Sequence, residues 1–298
     1  MDTKTRLLTM YRGFNVAEKL IAINITIFAI ISIYDAIFYS FSGGVHATFF
    51  SNYFALQNGW TPVLYKPWTI VSCAFLHASF GHLLSNCIVL YFSGRIFLTF
   101  FTEKQFITVY AYGILAGSIF FLLAYNLLPT FKNIDATAVG ASAAVLAILV
   151  AGATYAPNYV VNLFGVFQIK YWIIAVLLVI SYISYIPLGN AGGQYAHIGG
   201  ALIGFMYARQ LTKGNDIGIG FERFWDRLND FFTPKKKSPL KTVYKNKTKK
   251  RSTTTTSVKS ASEKQQKVDA ILDKISKSGY ESLTKAEKDF LFKAGKEN

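Results

Sequence analysis

Two strongly apolar segments, far apart in the chain, each contain a polar residue that could do chemistry. Ser142 lies in a run of small residues after Gly140, and His197 lies just before Gly200. Polar and ionisable side chains at membrane depth are energetically costly, so they are candidates for a functional role. A serine hydroxyl can attack a carbonyl when an adjacent histidine accepts its proton. The two residues therefore predict acyl transfer inside a membrane.

A third apolar segment carries His82 and Asn86, four residues apart. At helical spacing these two side chains lie on the same face, one turn from each other. Both are hydrogen-bond donors, and fixed donors that face a developing negative charge complete the groups that acyl transfer uses. The same pair can instead hold two helices together, since histidine and asparagine side chains bond across helices in membranes. The spacing alone leaves both interpretations open.

Small residues around the serine and the histidine predict that their segments touch. His197 shares a helix face with Gly200 and Gly204, and a Gly-x-x-x-Gly pair lets another helix approach closely. The run of small residues that starts at Gly140 offers the complementary surface. We therefore expect Ser142 and His197 to meet where these two helices pack, with the three glycines as packing residues.

The composition indicates a membrane protein. Of 298 residues, 52% are apolar and only 16% are charged, which is too little charge to cover a soluble globule of this size. Mean hydropathy is +0.31. Six segments of about 17 to 25 residues have the length that crosses a bilayer, which predicts an all-α membrane protein with a bundle of six transmembrane helices. They are residues 20–40, 81–101, 105–128, 138–155, 167–187 and 192–211.

Basic residues indicate the orientation of the six segments. Lys19 and three other basic residues precede the first segment, Lys104 lies between the second and third, and Arg209 and Lys213 lie at the end of the last. Because basic residues concentrate on the cytoplasmic side, both termini are predicted to be cytoplasmic. We expect a multi-pass integral membrane protein of a bacterial cytoplasmic membrane, with the aromatic-rich loop 41–80 on its outer leaflet.

The composition also changes along the chain. The linker that follows the membrane domain is rich in lysine and has no hydrophobic periodicity, which predicts that it is largely disordered. Its bases lie just after the last membrane segment, an arrangement that favours anionic lipid over nucleic acid as a partner. In the last region, apolar residues recur at helical spacing, and Thr284 with Glu287 forms a capping box that begins a second helix. The predicted regions are an N-terminal segment 1–19, the membrane domain 20–212, the basic linker 213–265 and a helical hairpin 266–298.

Together these motifs resemble those of the rhomboid family of intramembrane serine proteases. The six-helix core of that family carries H-x-x-x-N on its second helix, G-x-S on the fourth and A-H-x-x-G on the sixth, and here all three occur in order within residues 60–212. The resemblance implies that Ser142 is the nucleophile and His197 the base of a two-residue dyad. It implies an oxyanion hole formed by His82, Asn86 and the backbone N–H of Ser142. It further implies cleavage of transmembrane segments of membrane proteins, with no cofactor and no metal.

Two positions depart from the common pattern of that family. Ala143 stands where many relatives have a second glycine, and Leu146 stands where an aromatic side chain often stacks on the histidine. Neither change removes a reacting group. The alternative function is that of a catalytically inactive relative, a pseudoprotease that binds transmembrane segments without cutting them. Zinc and aspartic proteases are disfavoured, because the chain has no H-E-x-x-H motif and no second intramembrane aspartate to pair with Asp35.

Overall fold

The computed structural model describes residues 2–163, 165–189, 191–232 and 258–296. Contacts divide the chain into two units, Met1–Lys235 and Lys236–Asn298. The strands form two short antiparallel pairs, β1 (Leu56–Gln57) with β2 (Thr137–Ala138) and β3 (Val160–Leu163) with β4 (Phe167–Lys170). The helices of the first unit are α1 Thr3–Gly13, α2 Val16–Phe41, α3 Phe49–Phe54, α4 Trp60–Tyr65, α5 Thr69–Ser72, α6 Phe80–Phe100, α7 Glu103–Leu127, α8 Ser142–Tyr155, α9 Tyr171–Ser184, α10 Ala191–Thr212 and α11 Ile219–Phe232.

A helix lies at each of the six predicted membrane segments, namely α2 and α6 to α10. By length and composition, four helices in the described residues can cross a membrane: α2, α6, α7 and α9 with the helical turn that extends it to Leu188. α8 is apolar but has only 14 residues. α10 has 22 residues, but its glycines and polar side chains lower its hydropathy. The described chain therefore has four candidate spans, two fewer than the six predicted.

α8 is the central helix of the first unit. Every residue from Ala143 to Ala153 is buried, as expected for a helix that is apolar on all sides. It packs against α6, α7, α9 and α10, and α10 also packs against α7. α2 contacts α6 and buries few of its residues, so it lies at the periphery. The two helices that carry Ser142 and His197 are thus at the centre of the bundle.

The long loop before α6 is attached to the segment that enters α8. β1 of this loop pairs with β2, which lies four residues before α8. Beside this pair, the side-chain amide of Asn58 donates to the carbonyl oxygen of Ile134 at 2.6 Å. Because these bonds connect residues far apart in sequence, they hold the loop over the start of α8.

The segment after α10 contains a helix that the sequence analysis does not predict. α11 lies within residues 213–265, the range that composition assigns to the basic linker. It is anchored on α7, where Lys104 forms a salt bridge with Asp226 at 2.8 Å and Phe221 packs edge-on against Tyr112. Its apolar residues fall on one face. Because charged residues separate them in sequence, α11 does not form a continuous apolar segment and is not predicted. The predicted linker between 233 and 257 lies outside the described residues.

The second unit contains a helical hairpin of α12 (Val258–Ser278) and α13 (Lys285–Lys296). Gly279 ends α12 with a φ of 76°, a conformation that glycine adopts without strain. At the start of α13, the Thr284 N–H donates to Glu287 Oε2 at 2.7 Å, and the Glu287 N–H donates to Thr284 Oγ1 at 3.4 Å. These are the two bonds of a capping box. α12 begins eight residues before 266, where composition places the start of the hairpin.

Candidate active site

Ser142 is the first residue of α8. The chain reaches it through Gly140, whose φ of 121° is accessible to glycine and strained for other residues. The Gly140 N–H donates to the carbonyl oxygen of Cys73 at 2.9 Å, which fixes the entry into the helix. The first N–H groups of a helix have no partner within it and carry a partial positive charge. The Ser142 N–H therefore belongs to the first turn of α8, whose N–H groups favour a nearby negative charge.

The structure brings Ser142 and His197 together from α8 and α10. The hydroxyl oxygen of Ser142 lies 2.6 Å from Nε2 of His197. The other ring nitrogen, Nδ1, lies 3.1 Å from Oε1 of Gln194, one turn earlier in α10. When Nδ1–H donates to Gln194, Nε2 keeps its lone pair and accepts the serine proton. This arrangement can serve a nucleophile and its base.

Backbone contact between α8 and α10 sets the distance between serine and histidine. A Cβ at Gly200 would overlap the carbonyl oxygen of Ala143, and a Cβ at Gly204 would overlap that of Ala147. Gly117 of α7 approaches Ala143 from another side, since a Cβ there would lie 2.5 Å from the Ala143 Cβ. Ala143 is therefore held between two helices, with no room for a larger side chain.

His82 and Asn86 of α6 line one cavity together with Ser142 and His197. Asn86 is only 6% exposed, and its amide donates to the carbonyl oxygen of His82 at 2.9 Å. An amide nitrogen has a second N–H group. The structure thus places all four of these polar residues around one space.

Gly140 has a different contact from the one expected. The small-residue run predicts that it packs in the contact between α8 and α10, whereas the structure places it before α8 and against the imidazole of His82. A Cβ on Gly140 would lie 2.6 Å from Cε1 of His82. Because its positive φ takes Gly140 out of the helix, its lack of a side chain makes room for the His82 ring instead.

A second cavity, of about 260 Å³, adjoins the same site. Ser142, His82 and His197 line both cavities. Most of its other walls are small, which leaves room beside the serine for water or for a substrate side chain. They include Ala74, Ala78, Gly117, Ala143, Gly193 and Ala196.

Two residues at the site are not predicted by the sequence analysis, Gln194 and Tyr182. The ring of Tyr182, from α9, lies on the His197 imidazole with the ring centroids 4.0 Å apart and the planes at 44°. The aromatic contact thus comes from α9 and not from position 146. Gln194 lies three residues before His197, and helical spacing could have indicated it. Tyr182 has no such relation to the histidine in sequence, because it belongs to a different helix.

A bundle of apolar helices with a hydrogen-bonded serine and histidine at its centre defines a membrane protein whose site is suited to acyl transfer. A profile described as the Rhomboid domain matches residues 65–214 of this chain. The chain belongs to the rhomboid family. The resemblance drawn from its sequence motifs is thereby confirmed.

One curated relative is RHOMBOID-like protein 12, mitochondrial, from Arabidopsis thaliana. It is 29% identical to this chain over 157 residues, which make up 49% of this chain and 47% of the relative. The chain thus spans about half the length of the relative that it matches. In the second unit, residues 259–294 match a family of unknown function, DUF6576. The two matches cover separate parts of the chain, in agreement with its division into two units.

Proposed function

We propose that this protein is an intramembrane serine endopeptidase that cleaves transmembrane segments of membrane proteins. The observation that carries the proposal is the 2.6 Å contact between Ser142 Oγ and His197 Nε2. Membership of the rhomboid family supports the same activity. The two donors on α6 that face the same cavity, His82 and Asn86, supply the remaining groups that the chemistry needs.

In the proposed reaction, Ser142 Oγ attacks the carbonyl carbon of a peptide bond while His197 Nε2 accepts the hydroxyl proton. His197 then passes that proton to the amide nitrogen, the C–N bond breaks and the amine leaves. Water attacks the resulting ester, with His197 again accepting and returning a proton, and the serine is released. In sum, one peptide bond and one water molecule give a carboxylic acid and an amine.

Three donors are proposed to stabilise the oxyanion of each tetrahedral intermediate. They are the backbone N–H of Ser142, the imidazole of His82 and the second N–H group of Asn86. The helix start fixes the first, and the packing of His82 on Gly140 fixes the second. Donors that are already in place when the charge forms require no reorganisation during the reaction, which is why they lower the barrier.

We propose that all six helices of the bundle cross the bilayer, so that both termini lie in the cytoplasm. α8 crosses with few residues because the loop that carries β1 and the cavity occupy the space above its start. The proposed partners are transmembrane substrates and the bilayer, with anionic lipid at the basic linker and no nucleic acid. A bacterial cytoplasmic membrane stays a prediction, since the curated relative is a mitochondrial plant protein.

A mechanism-based probe tests the proposal directly. Full-length protein in detergent is treated with a fluorophosphonate and, separately, incubated with a single-span substrate. We expect label on Ser142 and a cleaved substrate, and neither in Ser142→Ala or His197→Ala. Ser40→Ala, at an exposed serine of α2, is the matched control and should behave as wild type. A wild-type protein that binds the substrate but stays unlabelled and leaves it intact would establish the pseudoprotease.

A further inference from the structure

His197 must present Nε2 to Ser142 in one ring orientation and one tautomer. The outer torsion of a histidine side chain has a broad, two-fold preference, so a ring with no other contact does not keep one orientation. Neutral imidazole also has two tautomers, and only one of them leaves the lone pair on Nε2. In this structure the ring has two further contacts, one at its second nitrogen and one on its face.

The contact at the second nitrogen is with Gln194. Its Oε1 lies 3.1 Å from Nδ1, and a carbonyl oxygen is an acceptor only. With this oxygen as the acceptor, Nδ1 carries the proton, which leaves the lone pair on Nε2, 2.6 Å from the Ser142 hydroxyl. Gln194 and His197 are three residues apart on α10, and side chains at this spacing are neighbours on the helix surface.

The contact on the ring face is with Tyr182 of α9. Its centroid lies 4.0 Å from that of the imidazole, so the imidazole has no space to turn unless the tyrosine moves. An aromatic face also attracts a cation, and His197 becomes a cation when it accepts the serine proton. Tyr182 lines the cavity that contains Ser142 and His197. It contacts the ring from outside the two helices that carry them.

We infer that Gln194 and Tyr182 are positioning residues for His197: Gln194 selects its tautomer, and Tyr182 holds the plane of its ring. Both act through the histidine. The kinetic consequences of the inference rest on the proposed protease function. The tautomer, by contrast, is a property of the resting protein and can be measured without a substrate.

Paired substitutions in the full-length protein separate positioning from bulk packing. Gln194→Leu removes the acceptor, and Gln194→Glu keeps one. Tyr182→Leu removes the ring, and Tyr182→Phe keeps it. Tyr185→Leu is the matched control, because this tyrosine directly follows the same helix and is 54% exposed. Initial rates over a range of concentrations of a single-span substrate give kcat and KM separately. The rate at which a fluorophosphonate labels Ser142 measures the reactivity of the dyad without substrate binding.

We expect Gln194→Leu and Tyr182→Leu to lower kcat about 10- to 10²-fold while KM changes less than about twofold, as misplacement of a reacting group predicts. Both should also label more slowly. Tyr182→Phe and Gln194→Glu should recover most of the lost rate, and Tyr185→Leu should equal wild type. Leucine variants that unfold at a lower temperature but keep the wild-type kcat and labelling rate would overturn the inference.

Nitrogen-15 NMR of the histidine rings measures the tautomer of His197 in the resting protein, so it tests the inference about Gln194 separately from the proposed function. Among the four histidines, His197 is assigned by comparison with His197→Gln. We expect the Nδ1–H tautomer in wild type and a mixture of tautomers in Gln194→Leu. If wild type neither labels nor cleaves but shows this change, the proposed function fails and the control of the tautomer by Gln194 is supported. If the tautomer is the same in both proteins, the inference about Gln194 fails, whatever the activity of wild type.

Discussion

Gly200 and Ala143 are in backbone contact, because the carbonyl oxygen of Ala143 occupies the space that a Cβ would take on residue 200. The contact joins α8 and α10 through main-chain atoms, which have no side-chain rotamers with which to adjust. The distance from Ser142 to His197 therefore depends directly on how the two helices cross. A misplacement of about 1 Å can cost about 10²-fold in rate, so in the proposed protease this crossing governs activity as well as stability.

Replacing Gly200 with alanine should lower both thermal stability and activity, since the new methyl group has no space beside the Ala143 carbonyl. Overpacking a tight contact typically costs about 1 to 3 kcal/mol, and Gly200→Leu should cost more than Gly200→Ala. Gly81→Ala in α6 is the control, because a Cβ there meets no atom within 4 Å. Thermal unfolding and probe labelling in detergent measure the two effects. A Gly200→Ala protein that matches wild type in both would mean that α10 can withdraw from α8 without harm.

Ala143 should tolerate a smaller side chain and reject a larger one. Ala143→Gly removes the methyl group that faces Gly117, so it should keep or modestly raise the labelling rate of Ser142. Ala143→Leu should lose labelling and thermal stability together, since helices pack on this residue from two sides. If the wild-type protein neither labels nor cleaves and the Ala143→Gly variant does both, the natural chain is a pseudoprotease.

Loss of a donor on α6 should lower kcat far more than it raises KM. Removing one oxyanion donor typically costs about 2.7 to 4 kcal/mol, or about 10²- to 10³-fold in kcat, and we expect this of both His82→Ala and Asn86→Ala. Thr99→Ala, at an exposed site near the other end of α6, should leave the kinetics unchanged. Initial rates over a range of substrate concentrations give the two constants. Normal turnover in both alanine variants, combined with lower unfolding temperatures, would identify the pair as structural.

Two truncations should distinguish the role of α11 from that of the second unit. A chain that ends at Lys235 keeps α11 and should retain wild-type cleavage and thermal stability. A chain that ends at Leu211 loses the salt bridge between Lys104 and Asp226 and the contact of Phe221 with Tyr112. Such contacts contribute about 0 to 1 and 0.5 to 1.5 kcal/mol respectively, so the shorter chain should unfold at a lower temperature. Equal unfolding temperatures would show that α11 does not stabilise the bundle.

The helical hairpin of the second unit should lose stability in acid. Lys274 Nζ donates to Glu287 at 2.9 and 3.0 Å, and this bond with those from Thr284 lowers the pKa of Glu287 to about 2. A carboxyl group whose pKa is about 4.3 in the unfolded chain then contributes stability above that pH, and the contribution is lost as the pH falls towards 2. Hydrogen exchange of the backbone amides of α12 and α13 in the full chain measures this change in the stability of the hairpin.

A comparison with the neutral side chain isolates the contribution of this carboxylate. Glu287→Gln should exchange faster than wild type at pH 7 and nearly as slowly as wild type near pH 2, where most of the contribution is lost. Asp273→Asn removes an exposed carboxylate of α12 and serves as the control, with exchange rates close to those of wild type at both pH values. A difference between Glu287→Gln and wild type that is as large at pH 2 as at pH 7 would contradict the assignment.

The residues of the candidate site could be predicted from the sequence because serine, histidine and asparagine are conspicuous in apolar helices. The contact of α10 with α8 could be expected as well, because the spacing of Gly200 and Gly204 lets another helix approach closely. Tyr182 could not be predicted, since its contact with His197 depends on how α9 is rotated and placed, which no spacing encodes. The contact of Gly140 with His82 was equally hidden, because it follows from a backbone conformation that takes the glycine out of the helix.

Since α8 begins at Ser142, the length of this helix fixes the level at which the serine lies. Its 14 residues span about 21 Å at 1.5 Å per residue. One further turn would carry the serine about 5.4 Å along the helix axis and past the imidazole. In the proposed protease, the length of α8 thus sets the depth in the membrane at which the serine lies and at which a substrate is cut. A peptide bond at another depth must move to that level before it can react.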